Sequence, residues 1–223
     1  MKQFAIIIIS LFFFSFGLKA QTLYWSDLTP ARGVFGSKNL TLDQIQGSPY
    51  LSAAFVNATV ITSDGKSYKD VPLRYDCYDD LFEFKNNNVI YDVEPKELVT
   101  RAEFGGKVFC YLEYEPQRPS NKAYFQILVD GKAKLCVQYK ISFYEKDESK
   151  GYADPKPDRF DDLISTYWIS LNNAPAKKIL NKKQLMDVFS DKKNEVENYF
   201  SNQKLSVKNG DDLKKIVNYY NSL

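Results

Sequence analysis

Tyr124-Phe125-Gln126-Ile127-Leu128-Val129-Asp130-Gly131-Lys132-Ala133-Lys134-Leu135-Cys136-Val137-Gln138-Tyr139-Lys140-Ile141-Ser142-Phe143 is the stretch that decides the fold. Tyr124 to Val129 is a run of aromatic and branched residues. After Asp130-Gly131, Leu135, Val137, Tyr139, Ile141 and Phe143 alternate with Lys134, Cys136, Gln138, Lys140 and Ser142. A period of two over that length predicts a strand with one buried face and one wet face. Asp-Gly supplies the positive φ that a tight hairpin turn needs. The stretch therefore reads as an antiparallel hairpin, with Cys136 on its wet face.

Upstream the same grammar repeats. Val56, Ala58 and Val60 alternate with more polar neighbours, and Ser63-Asp64-Gly65-Lys66 turns the chain into Val71, Leu73, Tyr75 and Cys77. Pro72 in that second run predicts an edge or a strand start, because proline has no N–H for a ladder. Phe82 and Phe84 pass through Asn86-Asn87-Asn88 to Val89, Tyr91 and Val93. Gly105-Gly106 then leads to Val108, Cys110, Leu112 and Tyr114. The series reads as one continuous meander.

Downstream, residues 146–160 are charged, carry Gly151, Pro155 and Pro157, and read as a linker or mobile loop. Ile164 to Leu171 is strand-like, and Asn172-Asn173 is placed to turn it back toward Lys177 to Leu180. The period then changes to that of helices. Asn181 and Ser190 are candidate N-caps for segments carrying Leu185, Met186, Val188 and Phe189, then Val196, Tyr199 and Phe200. In the last segment Asp211 and Asp212 precede Leu213, Ile216, Val217 and Tyr220, spaced i, i+3, i+4 and i+7 along one helix face. Asp211 with Lys215, and Lys193 with Glu197, have the spacing of ion pairs along a helix.

The expected fold is thus mainly β, of the α+β class. It is an antiparallel meander sheet, or a partly open barrel or sandwich, with a small helical C-terminal portion. The organisation reads as a signal peptide over 1–20, a β domain over 21–145, the linker over 146–160, and a strand or hairpin plus short helices over 161–223.

The signal-peptide reading comes from Met1-Lys2-Gln3, the apolar run Phe4 to Phe16 and the small residue Ala20 before Gln21. A basic start, a short apolar core and a small residue at the cut define such a segment, and the run is too short for a membrane span. No cysteine lies near the cut to carry a lipid anchor. The expectation is export, to the periplasm or to an extracellular or outer-membrane-associated location, with no transmembrane segment.

Composition limits the chemistry. Thirty Lys and Arg against 28 Asp and Glu leave no basic excess of the kind that reads nucleic acid. There is no histidine, which removes Ser-His-Asp and Cys-His catalysis and the usual transition-metal sites. No phosphate-cradling glycine loop, calcium loop or zinc spacing occurs, so no cofactor, no metal and no catalytic residue is expected. Asp76, Asp79, Asp80, Glu83, Glu113 and Glu115 are the carboxylates from which a glycan-cleaving pair would have to come. The three cysteines read either as small strand residues or as one disulfide. By parity that bridge would join Cys77 to Cys110 rather than involve Cys136.

Gly47-Ser48-Pro49-Tyr50-Leu51, the stretch Val71-Pro72-Leu73-Arg74-Tyr75-Asp76 through Phe84, and the ending Asp212 to Asn221 resemble uncharacterised exported bacterial proteins with a β-rich body and a short helical C-terminus. The resemblance runs over most of the mature chain and implies a bacterial, signal-peptide-exported protein. It implies no activity.

The function expected from these features is that of an exported, non-enzymatic envelope protein, an interaction module for another envelope protein. Arg74 and Tyr75, with Leu213, Ile216, Val217 and Tyr220 of a partly exposed last helix, are the candidate partner-binding residues. The alternative is a small-molecule or lipid carrier with a pocket lined by the abundant Tyr and Phe. A carboxylate-dependent glycan-active enzyme stands behind both.

Overall fold

The computed structural model describes residues 30–31, 33–115, 121–146 and 156–223. The signal-peptide reading of 1–20 lies outside the described residues, as does most of the 146–160 linker. A short ribbon of β1 (Val34–Phe35) and β2 (Leu40–Thr41) comes first. It leads to β3 (Val56–Thr62), β4 (Ser67–Asp76), β5 (Leu81–Asn86) and β6 (Val89–Asp92). A second run consists of β7 (Val99–Phe104), β8 (Lys107–Tyr114), β9 (Asn121–Val129) and β10 (Ala133–Lys140). Asn87 and Asn88 turn β5 into β6 with φ of +48° and +65°, and Gly105 and Gly106 turn β7 into β8 with +55° and +70°. Two successive positive φ values match the right-handed twist of the flanking strands.

The small pair β11 (Phe143–Tyr144) and β12 (Arg159–Phe160) follows, then β13 (Ile164–Leu171) and β14 (Lys177–Lys178). The chain ends in α1 (Lys182–Val188), α2 (Lys193–Asn202) and α3 (Gly210–Ser222). The main sheet is antiparallel and not closed, with strand order β14-β13-β10-β9-β8-β7-β3-β4-β5-β6.

That order replaces the single meander expected from the sequence with two meanders, β3 to β6 and β7 to β10, joined where β7 returns to pair with β3. Val60 and Ala102 face each other in that pairing and both are fully buried. The outer edge of β6 is occupied instead by residues 30–31, through a Pro30–Tyr91 bridge and a bond from the Ala31 N–H to the Ile90 carbonyl (3.0 Å). Covering an edge in this way removes a template for unwanted pairing. Pro72 sits inside β4, but β5 pairs only from Leu73 onward, so one side of β4 is open at the proline.

One face of the sheet carries two cores. The larger is aromatic: Phe82 lies 4.5 Å from Tyr124 and 5.3 Å from Tyr75, ring centre to ring centre, and Tyr75 lies 5.0 Å from Phe109. Phe35, Ile45, Ile141 and Phe160 close over it. These aromatic side chains fill a core in tilted and edge-on contacts. The second core lies at the other end of the same face, where Leu135 and Ile169 meet the three helices. Leu213, Ile216 and Val217 are 0 % exposed and Tyr220 is 2 % exposed. The expectation of a partly exposed last helix is therefore corrected: helices this short need tertiary packing to persist, and the sheet supplies it.

The opposite face holds a small cluster of Ala123, Phe125, Cys136 and Trp168 against Ala176. Cys136 is 0 % exposed, which corrects the wet face expected for it. β10 alternates as read, but the chain after β13 doubles back. The Ala176 N–H donates to the Glu113 carbonyl (2.8 Å), and the Glu115 N–H donates to that of Ala176 (2.9 Å). The cover comes from residues 40 positions away, which periodicity does not register.

Asn181 caps α1, accepting from the Gln184 N–H at 3.0 Å. Asn209 caps α3, accepting from Asp211 and Asp212 N–H at 2.8 and 3.1 Å. Ser190 instead opens a single 3-10 turn, and no side chain caps α2. The helix ion pairs also differ from expectation: Lys214 joins Asp211, Lys215 joins Asp212, and Lys182 of α1 reaches Glu197 of α2.

The far end of α3 is fastened to the deciding hairpin by one side chain. Asn221 accepts from the Ala133 N–H (2.8 Å) and donates to the Ala133 carbonyl (3.0 Å), completing a strand-like pair with an amide. A Cβ at Gly131 would lie 2.6 Å from the Asn221 amide nitrogen, so the turn glycine also makes room for this contact. Asn221→Ala leaves both backbone groups of buried Ala133 without that partner and is expected to destabilise the fold by about 1–3 kcal/mol. Urea unfolding measures it, and a loss below about 0.5 kcal/mol would show that water replaces the amide at no cost.

Candidate functional site

Of the candidate partner-binding residues, Arg74 and Tyr75 lie on opposite faces of β4. Tyr75 is 1 % exposed and its hydroxyl donates to Asp80 (2.5 Å). Arg74 crosses to the other face, where its cross-strand neighbour is Glu83. Its Nε donates to Glu83 (2.6 Å), Nη2 to the Tyr50 hydroxyl (2.7 Å) and Nη1 to the Ala53 carbonyl (3.2 Å). The guanidinium also lies 3.6 Å from the Tyr50 ring centre and 4.4 Å from that of Phe55. All three nitrogens are engaged within the fold, so Arg74 clamps the 50–55 segment onto the sheet. With Leu213, Ile216, Val217 and Tyr220 in the helix core, none of the six presents a surface to a partner in this conformation.

Glu83 could have been paired with Arg74 from the sequence, since both stand between large apolar residues on either side of one turn. Tyr50 and Phe55, in irregular chain, gave no such signal.

A cavity of about 590 Å³ opens beside this clamp, with Asp76, Asp79, Glu83, Asp92, Glu94 and Lys96 among its walls. Three of the six carboxylates singled out by sequence thus share a cavity. Asp80 pairs with Lys96, Glu113 with Lys122 and Glu115 with Lys177. Asp76 is 2 % exposed, and burial pushes its carboxyl up to about 7, against the pull of hydrogen bonds from the Tyr78 and Asp79 N–H groups. Among the described residues no three Asp, Glu or Cys side chains are grouped so as to hold a metal ion. This cavity can hold a proton near neutral pH and favours positive charge.

A groove of opposite character lies at the seam between the two cores. It has a volume of about 480 Å³. Its floor is the shared sheet face: Gln126 and Leu128 from β9, Val137 and Tyr139 from β10, Ser165 and Tyr167 from β13. Its rim carries Lys107 at the start of β8, Lys208 and Asn209 before α3, and Asp211 and Lys214 in the first two turns of α3. The Tyr139 hydroxyl donates to the Gln126 side-chain oxygen (2.8 Å). A Cβ on Gly210 would come within 2.5 Å of the Tyr167 hydroxyl oxygen, so the helix starts on a glycine where it meets that tyrosine. Lys214 is held by Asp211 at 3.0 Å; among the described residues neither Lys107 nor Lys208 has an acidic partner within 4.0 Å. Sequence reasoning placed Tyr139 on the correct face but could not assemble the groove, because its lining comes from five separate segments.

The three cysteines are free thiols, which corrects the Cys77–Cys110 bridge. Cys77 follows β4 and Cys110 lies in β8, three strands away in the order of the sheet. Cys77 belongs to the aromatic core that Phe109 of β8 also joins, whereas Cys110, the next residue after Phe109, points to the opposite face of that strand, so the two thiols are not aimed at each other. Burial pushes the Cys77 and Cys136 thiols up to about 12, so they stay protonated and inert.

No family model, curated protein or solved structure matches the chain.

Proposed function

We propose that this chain is an exported, non-enzymatic binding module that takes a small polar ligand in the groove between the first turn of α3 and the sheet. The carrying observation is that groove: a concave site of about 480 Å³, within the size range of small-molecule sites, floored by two tyrosines and rimmed by lysines. Export is supported by the basic start, short apolar run and Ala20 of the N-terminal segment. Among the described residues no helix is long and apolar enough to cross a membrane. The absence of histidine from the chain supports a binding rather than a catalytic role.

This reading departs from the partner-module expectation because the residues that carried it are engaged inside the fold. It departs from a lipid carrier because the groove is lined chiefly by polar groups. The test is a heteronuclear NMR titration of the chain from Gln21 onward with neutral sugars, acidic sugars, amino acids and a fatty acid. Shifts centred on Gln126, Ser165, Tyr167 and Asn209 with one class of ligand are expected. Shifts centred elsewhere, or none with any class up to about 10 mM, a concentration at which even very weak sites with millimolar affinity fill, would overturn the proposal.

A further inference from the structure

We infer that the ligand of this groove is a sugar carrying an anionic group, a statement that rests on the groove being the binding site. Three observations carry it. The first is charge: Lys107 at the start of β8 and Lys208 and Lys214 around the start of α3 come from two distant parts of the chain and converge on one rim, while Asp211 is the single acid among the lining residues. Two of those lysines lack an acidic partner among the described residues, so the rim has positive charge left for a ligand. The amide N–H groups at the start of α3 do not supply it, since Asn209 already accepts from those of Asp211 and Asp212.

The second observation is the pattern of hydrogen-bonding groups. Gln126, Asn209, Ser165, Tyr139 and Tyr167 line the same groove. Amides and hydroxyls both donate and accept, which suits the hydroxyl groups of a pyranose, each of which does the same. Within the fold the Asn209 and Gln126 side-chain oxygens already accept from Asp211, Asp212 and Tyr139. The hydroxyl oxygens of Ser165, Tyr139 and Tyr167 are therefore the acceptors that face a ligand, and a ligand with anionic groups alone would leave them unused. The third is the presence of two half-buried tyrosine rings on neighbouring strands, Tyr139 on β10 and Tyr167 on β13, with Ser165 cross-strand from Tyr139 and Val137 from Tyr167. Flat rings beside polar groups offer an apolar surface for the C–H face of a sugar. The remainder of the floor, Leu128 and Val137, is too small an apolar area for an acyl chain.

The anion could be a carboxylate, as in a uronic acid, or a phosphate ester. Both would be met by lysine ammonium groups, which act as point charges rather than bidentate forks. The experiment uses the chain from Gln21 onward, with trigalacturonate, its neutral counterpart of the same length, glucose 6-phosphate and inorganic phosphate as separate probes, followed by calorimetry and NMR. Trigalacturonate or glucose 6-phosphate is expected to bind at least tenfold more tightly than both the neutral trimer and inorganic phosphate, and which of the two binds identifies the anion. Raising the salt from 50 to 500 mM is expected to weaken that binding several-fold, because the rim charges are solvent-exposed and screened. Lys107→Gln combined with Lys208→Gln is expected to weaken it at least tenfold; Lys208→Gln alone, at an exposed site, is expected to weaken it about threefold and guards against a folding defect in the pair.

Equal binding of the neutral trimer would overturn the anionic assignment while leaving the groove as the site. Binding of inorganic phosphate as tight as that of the phosphorylated sugar would overturn the sugar assignment. Binding of an acidic probe with shifts away from Gln126, Ser165 and Asn209 would overturn both this inference and the reading beneath it. Groove-centred binding of an amino acid or fatty acid, with none of the sugars binding, would overturn this inference alone.

Discussion

Arg74→Ala is expected to destabilise the protein by about 3–5 kcal/mol, the loss that follows when one member of a buried ion pair is removed and the other is left without compensation. The Arg74 side chain is 10 % exposed and that of Glu83 is 7 % exposed. Without the guanidinium, Glu83 keeps, among the described residues, only the Tyr50 hydroxyl at 3.1 Å, and the 50–55 segment loses both its carbonyl contact and the cation between its two rings. Denaturant unfolding of the two proteins measures the difference. The double variant Arg74→Met, Glu83→Leu is expected to recover more than half of the loss, because it removes the stranded charge together with its partner. If Arg74→Ala costs less than about 1 kcal/mol, the pair behaves as an exposed one and the clamp is not a structural element.

Asp76 is expected to make stability fall as pH rises from about 4 to about 7. The sign follows from its two environments. In the unfolded chain the carboxyl has its ordinary value near 4, whereas in the fold burial raises it to about 7. Below pH 4 it is protonated in both states and contributes no pH dependence. Between the two values the unfolded chain releases the proton and the folded chain keeps it, so unfolding gains; above pH 7 the loss is complete. Three pH units at about 1.4 kcal/mol each set its size at about 4 kcal/mol as an upper bound.

Asp79 and Glu83 face the same cavity and add to the effect by repulsion. Asp76→Asn keeps the oxygen that accepts from Tyr78 and Asp79 at 2.7 and 3.0 Å, but has no proton to lose. Its stability relative to the wild type is therefore expected to rise steadily from pH 4 to pH 7 and then level off, as read by urea unfolding at each pH. Parallel curves for the two proteins would show that Asp76 titrates in the fold as it does in water.

Both effects arise at residues whose strands were legible in the sequence and whose surroundings were not. Alternation located β4 and β5, and although Arg74 and Glu83 each stand between large apolar residues, their pairing was read only from the register of the two strands. Nothing local said that Tyr50 and Phe55 would cover that pair and turn a surface ion pair into a buried one. Cys136 repeats the lesson: its parity was read correctly, and its burial depends on Ala176, which reaches it only after the chain has left β13 and turned back.

The sequence by itself determined most of the long strands, several of their turns, the three C-terminal helices and the absence of histidine chemistry, because side-chain alternation, positive-φ turn residues and helix periodicity are decided within a few neighbours; β7, which carried no such reading, was not among them. Only the tertiary structure decided that β7 pairs with β3, that the last helix lies buried on the sheet, that the cysteines stay apart, and that lysines from β8 and α3 meet two tyrosines in one groove. Those outcomes depend on which distant apolar surfaces remove each other from water, and many chain paths satisfy the same local pattern.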